Sequence, residues 1–175
     1  MVARENRRAD QAALLQDRFK QACAMFPTGV TVVTTDRDGL VYGITANAFS
    51  SVSLQPPQVL VCVARQSKLH DMVMRSRKFA VSILSAEQAA LSDYFARPGR
   101  EPAPSFVEAG AVCEVHDTGA PVLEGCSAYF DCALAQAYDG GDHSIFVGDV
   151  LASGADAERR PLLYFGRGYR RFEMP

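Results

Sequence analysis

The residues best suited to chemistry in this chain crowd into one window, Thr45-Ala46-Asn47-Ala48-Phe49-Ser50-Ser51-Val52-Ser53. Thr45, Asn47, Ser50, Ser51 and Ser53 all carry hydrogen-bonding side chains, and none is charged. An amide can read the carbonyl and N–H edges of a flat polar ring. Hydroxyls and free backbone N–H groups can hold a phosphate without a cation. A Ser-rich connection between two strands has the same composition, so spacing alone leaves both readings open.

Other chemistries are argued against by what is missing. No Gly-x-Gly-x-x-Gly follows a strand, and no Gly-x-x-x-x-Gly-Lys-Ser/Thr occurs. Neither of the common nucleotide-phosphate loops is therefore signalled. A Gly-x-Ser-x-Gly nucleophile elbow is also absent. The histidines His70, His116 and His143 are too scattered for a helical metal pair, and no metal is expected. Cys23, Cys62, Cys113, Cys126 and Cys132 contain no Cys-x-x-Cys, and their number is odd. Several lie in apolar stretches, where cysteine acts as a small hydrophobe, so a reducing cytoplasm is expected.

The elements that must position the window follow from periodicity. Residues 1–9 are polar and read as a disordered tail. From residue 10 to 25 the apolar positions Leu14, Leu15, Phe19, Ala22 and Cys23 recur at helical spacing, with Pro27 and Gly29 as the stop. Residues 30–35 are β-branched and predict a strand, Asp36-Arg37-Asp38-Gly39 a hairpin turn, and residues 40–46 the return strand. Residues 58–64 and 78–84 predict two more strands, with a short helix at 67–72 between them. Ser85 and Gln88 have capping-box spacing and open a helix running towards Phe95. Residues 97–110 hold Pro98, Pro102, Pro104, Gly99 and Gly110. A loop this long predicts function or mobility, and a gate is one expectation. Strand-like stretches then recur at 111–115, 127–138, 144–152 and 161–165. Six or seven strands with two or three helices indicate an antiparallel barrel or sandwich, in one domain over residues 10–175.

Composition sets the outer limits. Of 175 residues, 48% are hydrophobic and 22% charged, enough to build an ordinary core. A net charge of -2 argues against nucleic acid as the main partner. The apolar run at 59–64 is too short to cross a membrane, and no apolar segment follows Arg4, Arg7 and Arg8.

The motifs Phe26-Pro-Thr-Gly-Val30, Val32-Val-Thr-Thr35, Gly43-Ile-Thr-Ala-Asn47, Ser50-Ser-Val-Ser-Leu54 and Pro56-Pro57 resemble those of the flavin reductase family. These are reductase components of two-component flavin-dependent monooxygenases. The likeness continues through Lys78-Phe-Ala-Val81, Phe95-Ala96, Gly148-Asp-Val150 and Pro161-Leu-Leu-Tyr-Phe165. It implies a mainly β fold, a split β-barrel of the antiparallel, Greek-key, FMN-binding type with a few flanking α-helices. The resemblance further implies a homodimer, with FAD (alternatively FMN) in a groove near the subunit interface. NADH (alternatively NADPH) would donate the hydride, and a partner monooxygenase would receive the reduced flavin. A flavin-binding or electron-carrier module on the same barrel is the alternative. By position, Thr45, Ala46 and Asn47 would meet the isoalloxazine edge, Ser50 and Ser51 the phosphate, and Pro27 and Thr28 the ring system. Ser67 and Lys68 would lie on the phosphate or ribityl side, and His143 would face the nicotinamide. Ala48 departs from the serine common there in the family. Tyr169 and Phe172 read as packing residues.

Overall fold

The architecture comes from a computed structural model that describes residues 2–170, so Phe172 lies outside the described residues. Helix α1 (Val2–Cys23) opens the chain. Its backbone is helical from Val2. A two-residue β1 (Thr28–Gly29) follows, then the hairpin of β2 (Thr31–Arg37) and β3 (Leu40–Ala46) closed at Asp38-Gly39. Next come β4 (Phe49–Leu54) and β5 (Pro57–Ala64), α2 (Lys68–Ser76) and β6 (Lys78–Ile83). The segment after Ser85 starts as a 3-10 turn, with Ser85 N–H donating to Gln88 Oε1 at 3.0 Å, and continues as α3 (Ala89–Ala96). The short β7 (Cys113–Val115) and β8 (Pro121–Leu123) pair with each other. The long hairpin of β9 (Ala128–Gly140) and β10 (His143–Ala155) precedes β11 (Leu163–Phe165) and β12 (Gly168–Arg170).

Seven strands form one antiparallel sheet in the order β3-β2-β6-β9-β10-β5-β4. Its outermost strands, β3 and β4, are separated in sequence only by Asn47 and Ala48. So short a link cannot cross a flat seven-stranded sheet, whose neighbouring strands lie roughly 4.8 Å apart. The sheet therefore curls until its edges meet at Asn47, giving an open, split barrel. The polar stretch 47–53, read as a connection, thus contains an edge strand. Its hydrophobic signal is weak because an edge facing solvent needs little apolar surface.

Alternation sends one face of each strand inward. Along β5, Val59, Val61 and Val63 are buried while Leu60, Cys62 and Ala64 are half-exposed. The inward set meets Val33, Phe79, Val81, Cys132 and Phe146, and α2 plugs the interior with Leu69, Met72 and Val73. A second core lies on the other face of β2 and β6, where Val32 and Leu84 meet Phe95, Phe106, Leu123 and Leu162. Gly148 is required by close approach. A Cβ there would stand 2.6 Å from Phe79 Cζ and 2.8 Å from Cys132 Cβ.

Candidate active site

The meeting of the two sheet edges leaves a cleft of about 710 Å³, within the usual range for small-molecule sites. Its walls are mostly apolar and come from four places. Phe26, Pro27, Thr28 and Gly29 follow α1; Thr31 and Ile83 end β2 and β6; Asn47, Ala48 and Phe49 form the link; Leu60 and Cys62 lie on β5. Two smaller hollows adjoin it. One, of about 260 Å³, is bounded by Thr45, Ala46, Asn47, Ser92, Tyr164 and Tyr169. The other, of about 220 Å³, is bounded by Lys20, Cys23, Phe26, Asn47, Tyr164 and Arg167 among others. Asn47 is exposed and lines all three.

The link is held from both sides. Ala48 O accepts from Cys62 N–H at 3.0 Å, which fixes it to β5. Thr45 Oγ1 donates to Ser92 O at 2.6 Å, which fixes the end of β3 to α3. The Tyr169 hydroxyl lies 2.8 Å from both Ser92 Oγ and Asp93 Oδ1. Burial beside these groups pushes the Tyr169 phenol above its ordinary range. At the cleft wall the Thr28 hydroxyl is buried with no hydrogen-bond partner among the described residues. A buried unpaired hydroxyl is costly, and this one lies where a polar ligand edge would satisfy it. Among the described residues, no group of three or more His, Cys, Asp or Glu is placed to hold a metal.

Comparison with known proteins gives this cleft a context. The model of the flavin reductase like domain matches residues 23–173. The chain belongs to the flavin reductase-like family. It is 42% identical over 154 residues to the FMN reductase (NADH) SmoA of Agrobacterium fabrum, covering 88% of this chain and 84% of that one. It is 38% identical over 161 residues to the reductase component of 4-hydroxyphenylacetate 3-monooxygenase of Thermus thermophilus, covering 92% and 99%. Among solved structures, the Streptomyces globisporus NADH:FAD oxidoreductase SgcE6, in complex with NAD and FAD fragments, superposes with a TM-score of 0.82. That match is 35% identical and covers 90% of this chain and 93% of the other.

Within this flavin reductase-like chain, the structure gathers some expected site residues and separates others. Pro27, Thr28 and Asn47 share the main cleft, and Thr45 and Ala46 stand with Asn47 around the adjoining hollow. Ser50 and Ser51 part company. Ser50 pairs with Leu60 and so shares the cleft-lining face of β5, whereas Ser51 pairs with Val59 on the opposite face. The two side chains therefore leave β4 on opposite faces. Ser67 caps α2, its Oγ accepting from Leu69 N–H at 3.2 Å. Lys68 is committed elsewhere: its ammonium lies 2.5 Å from Glu101 Oε1 and donates to Arg100 O at 2.9 Å.

His143 pairs with Ala64, which places it on the same sheet face as Cys62 and Leu60, about 7 Å further along the strand. Its Nδ1 lies 2.8 Å from Asp142 Oδ1, and that hydrogen bond holds the Asp142 carboxyl below the usual carboxylate range. The pairing orients the imidazole and leaves Nε2 free to face a ligand. Sequence reading missed Lys20, Arg167 and Ser92 as neighbours of Asn47. Their convergence is purely tertiary, so no local pattern signals it.

Proposed function

We propose that this chain is an NAD(P)H-dependent flavin reductase that binds a free flavin in the cleft at Asn47 and supplies it, reduced, to a partner monooxygenase. The observation that carries the reading is the convergence of three hollows on Asn47 beside the unpaired Thr28 hydroxyl. Flat apolar walls from Pro27, Phe49 and Leu60 suit a tricyclic ring, and Thr28 and Asn47 suit its polar edge. When bound, the flavin supplies the redox chemistry by accepting a hydride from the nicotinamide.

The protein's own share is binding, orientation and electrostatics. Pro27 and Thr28 hold one side of the ring system, and Ala46 and Asn47 hold its polar edge. Thr45 has spent its proton on Ser92 O, so its oxygen serves only as an acceptor. Ser50 stands on the cleft face with its hydroxyl donating to Ser51 O at 3.0 Å, so it meets a phosphate only by exchanging that bond, and Ser51 contributes through its backbone. Ser67 and Lys68 act indirectly, by capping α2 and tying it to the 97–110 loop. His143, oriented by Asp142, stands where it can bound the nicotinamide. Fixed N–H and hydroxyl groups at the cleft would stabilise charge gained by the ring. FAD and NADH are our first choices for the substrates, with FMN and NADPH as alternatives.

The same reading includes a homodimer. Helix α1 exposes Leu14, Leu15 and Phe19 at 52%, 68% and 67%, and Met25 and Phe26 beyond it are equally bare. A contiguous apolar stripe of this kind marks an interaction surface, and it borders the cleft. All five thiols are unpaired, which fits a reducing cytoplasm. No described helix is long and apolar enough to cross a membrane.

The test is aerobic NADH oxidation with FAD, FMN, riboflavin or no flavin added to the purified protein. Saturating dependence on added flavin is the expected result. A yellow protein that holds its flavin and turns over without added flavin would favour an electron carrier, and no turnover with any pair would overturn the enzyme.

A further inference from the structure

We propose that Lys20 and Arg167 form an anion subsite that takes a phosphate group of a dinucleotide substrate beside the cleft, an inference that rests on the reductase reading above. Both residues line the hollow of about 220 Å³, which shares Cys23, Phe26 and Asn47 with the main cleft. A ring in the cleft therefore has a short path for its phosphate chain into this hollow. Among the described residues no acidic one lines it, so they give it positive charge in a protein whose net charge is -2.

The backbone brings these two cations together across the length of the chain. Lys20 stands in the last turn of α1, and its carbonyl accepts from Ala24 N–H at 3.1 Å. Ala24 O in turn accepts from Gly166 N–H at 2.9 Å, which clips the β11–β12 turn against the helix end. Phe165 pairs with Gly168, so Gly166 and Arg167 are the two central residues of that turn, at φ 60° and 62°. Such a turn favours Asn or Gly at both places, and a left-handed backbone is disfavoured for arginine. A guanidinium is kept there against local preference.

Among the described residues two other non-glycine positions adopt positive φ, and each has local work for its side chain. Arg77 donates to Leu134 O at 2.8 Å, and Asp38 pairs with Arg37. Arg167 and Lys20 make no side-chain hydrogen bond or ion pair among the described residues, though Gly166 and Gly168 lie against the nearby Arg170 guanidinium. Lys20 partly offsets the negative end of the α1 dipole, and Arg167 leaves the hollow with positive charge to spare. FAD and the nicotinamide dinucleotides each carry a diphosphate, FMN a single phosphate and riboflavin none, so the ligand series can locate the contact.

The experiment uses the full-length protein and the variants Lys20→Gln, Arg167→Gln and Arg167→Gly. Equilibrium binding of FAD, FMN and riboflavin is followed by flavin fluorescence, and KM for NADH is measured at saturating riboflavin. Each variant is expected to weaken its phosphate-bearing ligand about fivefold to tenfold, with the difference shrinking as salt rises. Weaker FAD or FMN binding with riboflavin unchanged assigns the subsite to the flavin phosphates. A raised KM for NADH with flavin binding unchanged assigns it to the nicotinamide dinucleotide. Arg167→Gly relieves the turn, so its Tm should match or exceed the parent's while binding still falls. The subsite is overturned if every constant stays within about twofold of the parent's, or if riboflavin weakens as much as FAD. A parent that neither binds flavin nor oxidises NADH removes the reductase reading itself, a distinct result.

Discussion

The long segment of residues 97–110 and the two-residue link Asn47-Ala48 flank the same strand, β3, and they reverse the roles their lengths suggest. The long segment is anchored. The Arg100 guanidinium lies 5.1 to 5.2 Å from the rings of Tyr42, Tyr94 and Phe95, and donates to Gly43 O and Phe95 O. Val41 and Ala103 exchange backbone hydrogen bonds at 2.7 and 3.1 Å, and Phe106 is buried in the second core. This packing argues against the gate expected from length and proline content. The short link is pinned only at its ends, leaves the Asn47 side chain exposed, and borders every hollow of the site. Irregular backbone signals function where its polar groups remain available, and a long loop that has satisfied its own groups is scaffold.

That contrast can be broken most forcefully at Arg100. Removing it in Arg100→Ala deletes charged hydrogen bonds and ring stacking, with an expected loss of about 3 kcal/mol in urea unfolding. A loss below about 1 kcal/mol would restore the mobile-loop reading. Thiol chemistry sharpens the contrast next. Burial pushes the Cys132 thiol up to about 12 and Cys113, just past the loop, up to about 11, whereas Cys23 at the cleft is exposed. These folded values lie above the ordinary thiol value of 9.0, so the folded state holds the extra protons. Stability should fall as pH rises from about 9 towards 12, by at most about 1.4 kcal/mol per pH unit for the buried Cys132 and by less for the half-buried Cys113, where solvent screens the effect. Ellman's reagent at mild pH should label Cys23 first; rapid labelling of Cys113 in the native protein would contradict the packing.

At the link itself, Asn47→Ala should leave Tm nearly unchanged and weaken flavin binding about tenfold, the worth of roughly one hydrogen bond. A large Tm loss without a binding change would make Asn47 structural. The smallest effect is expected at Lys68→Ala. Its ion pair with Glu101 is exposed, so stability should change by less than about 1 kcal/mol and flavin affinity should hold. A strong loss of affinity there would return Lys68 to the phosphate side.

Sequence periodicity located most of the frame because its signals are local. The β-branched run before Asp38-Gly39 gave β2 and β3, and Ser85 with Gln88 gave the start of the α3 segment. Edge strand β4 was hidden because Ser50, Ser51 and Ser53 need no buried partner on the solvent side. The Thr45–Ser53 window named Asn47 from its chemistry, but not the opposite faces of Ser50 and Ser51, which depend on pairing with β5. Lys20 and Arg167 were illegible for a different reason. Each has an ordinary local role, and only the Ala24–Gly166 hydrogen bond makes them neighbours.

The order β6-β9-β10-β5 also governs how a nascent chain can fold. The β2–β3–β6 and β4–β5 pieces emerge first, and each must wait with an open edge for the β9–β10 hairpin to fill the space between them. Synthesis halted before residue 128 would leave two sticky sheet fragments instead of a smaller working protein. Chaperones would meet this chain chiefly in that interval, and nonsense truncations anywhere upstream of the hairpin should be cleared by proteolysis as completely as early ones.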